Sequence, residues 1–195
     1  AGQVSLVAGE MGSGKTALIR AFAREAQETS SELVAAIVNC SAHTGPGDPY
    51  GPFRELLALL TGDVEAARRQ ETITRENARR LRHLLPLTLP ALVDLGPDLI
   101  DTLVPREALS LRAAALIPKQ VGWLNRLAAA GERRKRRNAV SGVTQSELIA
   151  QVTNVLDAVA RERPLLLVID DAQWADAASV NLLFHLARRL VGSRV

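Results

Sequence analysis

Residues 9–16 constrain the fold of this 195-residue chain more than any other stretch: Gly9-Glu10-Met11-Gly12-Ser13-Gly14-Lys15-Thr16 fits the pattern G-x-x-x-x-G-K-[ST]. Glycines reach backbone angles that L side chains resist, so such a loop can turn successive N–H groups inward around an oxyanion. At average composition, a chance match in a chain this long is expected less than about once in a hundred. The surroundings fit the pattern. An aliphatic run from Val4 to Ala8 precedes the loop, and Leu18, Phe22 and Ala26 follow it at i, i+4 spacing. The loop is therefore expected to join a strand to a helix over residues 3–28, with a bound phosphate at the helix's positive end. In that setting Gly9 to Thr16 cradle the phosphates, Lys15 gives a point charge to the β- and γ-phosphates, and Thr16 offers a hydroxyl to Mg²⁺.

Two further apolar runs, over 33–39 and from Leu165 to Ile169, show little alternation, as strands of a parallel sheet covered on both faces do. Helical patterns separate the runs, which makes the chain α/β with a parallel sheet flanked by helices. Thr144-Gln145-Ser146-Glu147 has the form of a capping box opening a helix over 144–162, with a stripe of Leu148, Val152, Val155 and Val159. After a turn-rich loop from Gly45 to Pro52, residues 53–130 read as a helical insertion between the second and third strands. Its short helices are expected to break at Pro86, Pro90, Pro97, Pro105 and Pro118. The run Glu132-Arg133-Arg134-Lys135-Arg136-Arg137 reads as a solvated basic linker over 131–138.

Composition narrows the function classes. At 47% hydrophobic residues the chain can fill a core, and with 3% aromatics Leu and Ala must pack it, which favours helices. No run approaches the roughly 20 apolar residues of a membrane span, and no signal peptide is visible, so a cytoplasmic location is expected. The lone Cys40 excludes an internal disulfide, and a net charge of +3 is too small to mark a nucleic-acid binder. Of 24 basic residues only Lys15, Lys119 and Lys135 are lysines, and one of them stands where a phosphate loop requires it.

The third apolar run ends in Asp170-Asp171. A carboxylate at a strand's C-terminal end, beside a phosphate loop, can hold Mg²⁺, usually through water, and Asp170 takes that role. Asp171 can orient or deprotonate the attacking water. Asp176, ahead of a stripe of Leu182, Leu183, Leu186 and Leu190 in the segment 165–190, reads as an N-cap. Gln173 and Trp174 either pack the loop near the γ-phosphate or serve as a backbone cap and a core cover. His43, His83 and His185 lack partners at metal-ligand spacing.

The phosphate loop, the spacing to Asp170-Asp171-Ala172-Gln173-Trp174-Ala175-Asp176, and Asp48-Pro49-Tyr50-Gly51-Pro52-Phe53 together resemble the AAA/STAND-type ATPase module. The form is similar to that of large bacterial LuxR-type regulators, of proteins that join the ATPase to cyclase or tetratricopeptide domains, and of origin-recognition-type relatives. The resemblance implies ATP and Mg²⁺ as ligands and Asp171 and Lys15 as catalytic groups. It also implies a switch role through effector domains attached in the same chain, possible self-association, and DNA contact only through domains outside this stretch. Asp at position 171 is a methylene shorter than the Glu often found there, which implies slow hydrolysis. In the family's sheet a further strand lies between the phosphate-loop strand and the acidic-motif strand. Here it would begin at Arg194-Val195, so the core is expected to be truncated before its fourth strand, with both ends cut from a longer protein and the isolated piece unstable or aggregating. An oligomeric DNA loader is an alternative. It needs an arginine finger, for which Arg188, Arg189 and the 133–137 run are available. A small-molecule P-loop kinase is a further alternative, disfavoured by the long insertion.

Overall fold

The computed structural model describes residues 2–40, 49–116, 122–138, 142–190 and 192–195. Two strands, β1 (Val34–Asn39) and β2 (Leu165–Asp170), run parallel, with Val34 opposite Leu165 and Asn39 opposite Asp170. Both strands therefore finish together, and their C-terminal ends deliver Asn39, Asp170 and the following Asp171 to one rim of the sheet. Helix α1 (Lys15–Thr29) springs from the phosphate loop. Between the strands come α2 (Gly51–Leu60), α3 (Glu65–Arg69), α4 (Arg75–His83), α5 (Leu85–Leu95), α6 (Arg106–Leu116), α7 (Gly122–Asn138) and α8 (Gln145–Glu162). A single 3₁₀ turn, Ala172–Trp174, leads from β2 to α9 (Ala177–Arg189).

The core belongs mainly to the inserted helices. Phe53, Leu56, Leu57 and Leu60 of α2, Leu85, Leu89 and Leu92 of α5, and Val152, Val155 and Leu156 of α8 are buried with Val34, Ala36 and Val38 of β1. Helix α8 begins at the expected capping box: Thr144 Oγ1 accepts from the Glu147 N–H at 3.3 Å, and Glu147 Oε2 accepts from the Thr144 N–H at 2.8 Å. On the outer edge of β1, Asn77 of α4 stands in for a neighbouring strand. Its Nδ2 donates to the Ala35 carbonyl at 2.8 Å, and its Oδ1 accepts from the Ala35 N–H at 3.3 Å and from Gln27 Nε2 of α1 at 2.6 Å. Arg80, one turn on, donates to the carbonyls of Gln27, Ser30 and Leu33. The edge is thus paired by side chains and covered by a helix, which removes a template for misassociation.

Three expectations are corrected. Residues 4–8 form no strand; Val4, Leu6 and Val7 are exposed, Leu6 at 89%. A strand exists only where a second backbone completes its ladder. On the side of β2 away from β1, the Leu165 N–H donates to the Arg194 carbonyl at 2.9 Å, so Arg194 occupies the place beside β2. Gly2 lies against the carbonyls of Leu190 and Val195, beyond that position. No strand among the described residues runs beside 4–8, which leaves an apolar run without a ladder. Second, Pro90 breaks no helix but lies inside α5, whereas Pro86 does mark a boundary, opening α5 just after α4 ends at His83. Pro86 sits in the first turn, where a missing N–H costs nothing, and burial of Leu85, Leu89 and Leu92 offsets the bond lost at Pro90. Third, the basic run is no loop: its backbone continues α7 through Asn138. Pro118, Lys119, His43 and residues 45–48 of the turn-rich loop fall outside the described residues.

Candidate functional site

The phosphate loop is built by two glycines that no other residue replaces without strain. Gly12 and Gly14 have φ of +81° and +86°, and no atom lies within 4 Å of where a Cβ would stand on either. The backbone there is an open cradle whose shape, not its packing, requires glycine. Gly14 caps α1 with no side chain, which leaves the first N–H groups of the helix facing the loop. Lys15 Nζ donates to the loop's own carbonyls, Gly9 at 2.9 Å and Glu10 at 2.7 Å, and so is folded back over the cradle. Glu10, Met11 and Ser13 form its exposed rim, with the Ser13 N–H closing a turn onto the Glu10 carbonyl.

Across 154 residues of sequence, Thr16 Oγ1 donates to Asp170 Oδ2 at 2.7 Å. The other oxygen, Oδ1, accepts from the Asp171 N–H at 3.0 Å. Asp170 is 9% exposed, and these bonds fix its carboxylate at the end of β2 facing the first turn of α1. Asp171 follows in the left-handed region, φ 53° and ψ 39°, which turns its side chain out of the strand direction. Its carboxylate is held by two amides: Gln173 Nε2 donates to Oδ1 at 3.0 Å, and Asn39 Nδ2 donates to Oδ2 at 3.3 Å. Asn39 was not singled out from the sequence; the signal available was a polar residue closing an apolar strand.

Asp176 caps α9, accepting from the Ser179 N–H at 2.8 Å, and also accepts the Tyr50 N–H at 3.2 Å. Burial alone would raise its pKa, but the bonds from the Ser179 hydroxyl, the Ser179 and Tyr50 N–H groups and its own N–H outweigh that and hold it below the usual carboxylate value. Trp174 is 56% exposed, so it covers no core. Cys40 is buried at the end of β1; burial first, then the charges of Glu55, Asp176, Asp171 and Asp170, push its thiol up to about 11. His83 lies in α4 and His185 in α9. Among the described residues no group of three or more His, Cys, Asp or Glu converges on a metal position. A hydroxyl and one carboxylate, Thr16 and Asp170, are the donor set that suits Mg²⁺, which keeps most of its waters and takes phosphate oxygens.

A glycine cradle at a helix start, set beside the carboxylate that ends a parallel strand, defines the α/β P-loop nucleoside-triphosphatase class. The chain belongs to the AAA ATPase domain family, whose profile matches residues 1–194. No curated protein and no solved structure matches it significantly. Membership supports ATP binding and hydrolysis as its general activity. Among the described residues no helix is long and apolar enough to cross a membrane.

Proposed function

We propose that the chain is a slowly hydrolysing, Mg²⁺-dependent ATPase module that works as a switch for effector domains in a larger signalling or transcription-regulating protein. The Thr16–Asp170–Asp171 hydrogen-bond chain carries the reading, because it joins the phosphate loop to the acidic strand end. The N–H groups of Gly9 to Thr16 would bind the phosphates, and Lys15 would leave the Gly9 and Glu10 carbonyls to meet the β- and γ-oxygens. Thr16 and Asp170 would hold Mg²⁺, which supplies charge neutralisation on the phosphates. Asp171 would orient the water and take its proton as the water oxygen bonds to the γ-phosphorus and ADP departs. Slowness follows from the short reach of Asp171, whose side chain is one methylene shorter than glutamate. The likeness of Asp170–Asp176 to bacterial regulators supports the switch role.

Phosphate release with and without DNA, by the wild type and by Asp171→Asn, tests this reading. The expected result is phosphate appearing with no acceptor, below about 1 s⁻¹ and so under the median enzyme rate. DNA should have no effect, and Asp171→Asn should slow turnover at least about a hundredfold while ATP still binds. Fast, DNA-stimulated turnover would instead indicate a loader, and a requirement for an acceptor a kinase.

A further inference from the structure

We infer that Gln173 is a positioning residue for hydrolysis, acting through Asp171; the inference rests on Asp171 as the water-orienting group. The backbone forces the contact. Asp171 is left-handed, and the Trp174 N–H closes a turn onto the Asp171 carbonyl at 2.9 Å, which brings residue 173 back over residue 171. Gln173 Nε2 then donates to Asp171 Oδ1 at 3.0 Å, while Asn39 Nδ2 reaches Oδ2 from the end of β1. A carboxylate offers about four lone-pair sites, so two amides leave capacity for a water. What the amides remove is rotational freedom. An aspartate, with its short side chain, can orient a water only from a narrow set of positions, and a group misplaced by about 1 Å loses on the order of 100-fold in rate. Gln173 is exposed and packs against no core, so the fold gives no separate reason for an amide there.

Steady-state phosphate release and ATP affinity of Gln173→Ala and Gln173→Glu test the assignment. The Glu variant keeps the shape but loses the donor and sets one carboxylate against another. The expected outcome is kcat down about tenfold in Gln173→Ala and further in Gln173→Glu, with KM and ATP affinity within about twofold of wild type. In an Asp171→Ala background, adding Gln173→Ala should change the residual rate no further. A wild-type rate left unaltered by both single substitutions overturns the role of Gln173 and leaves that of Asp171 standing, as does an undiminished effect in the Asp171→Ala background. A wild type that binds ATP but releases no phosphate overturns both.

Discussion

Asp176 shows how one side chain can organise the rim of the site. It satisfies the first turn of α9 and the backbone of Tyr50, which itself has a left-handed φ of 67° at the start of α2. Asp176→Ala should cost about 1–2 kcal/mol in urea unfolding, the range of a lost N-cap. Because its folded pKa lies below the unfolded value, the charge contributes fully above about pH 4, and that contribution is lost as pH falls through the folded pKa. Asp176→Asn should therefore flatten the acid side of the stability–pH curve; an unchanged curve would contradict the assignment. Cys40 gives a second residue-scale test. With its thiol near 11, alkylation of the native protein at pH 8 should be slow and should accelerate on addition of denaturant.

At the scale of elements, α4 is the piece on which β1 depends. Asn77 is 3% exposed and supplies both partners for Ala35, which is fully buried. Asn77→Ala leaves a buried N–H and a buried carbonyl without those bonds, an expected loss of about 2–4 kcal/mol by thermal or urea melt. Nothing in the sequence marks Asn77, since a polar residue on an arginine-rich helix has no motif, and its role comes from a strand it meets only after folding. Elements whose information is local were legible: the box at Thr144–Glu147, the cap at Asp176, and β1 and β2 as continuous aliphatic runs. Val4–Ala8 is an apolar run, as β2 is, and still forms no strand, because a ladder needs a neighbour that composition does not supply. Pro90 misleads in the opposite direction, since burial against α8 overrides its helix-breaking tendency. Within the site, the pairing of Thr16 with Asp170 could be anticipated from two motifs, whereas the Asn39 and Gln173 amides around Asp171 depend on register and turn geometry.

Over the whole molecule, packing is uneven. The inserted helices and α8 hold the dense core, whereas the segment before the loop and much of α1 face solvent, with Leu6, Leu18 and Phe22 exposed along with Leu183 and Phe184 of α9. Hydrogen exchange should accordingly be slowest in α5 and α8 and fast across residues 2–14, with protection of the loop appearing on addition of ATP and Mg²⁺. The exposed apolar residues also predict that the 195-residue chain alone self-associates with concentration; a sharp, reversible melt of a monomer by light scattering and calorimetry would contradict this. The proposed function requires that the loop closed by Lys15 hold ATP. Calorimetric titration of MgATP into the wild type and into Lys15→Ala tests it most directly. The expected result is saturable one-site binding to the wild type and affinity at least about tenfold weaker in the variant, a difference of about 1.4 kcal/mol; equal affinities would overturn the assignment.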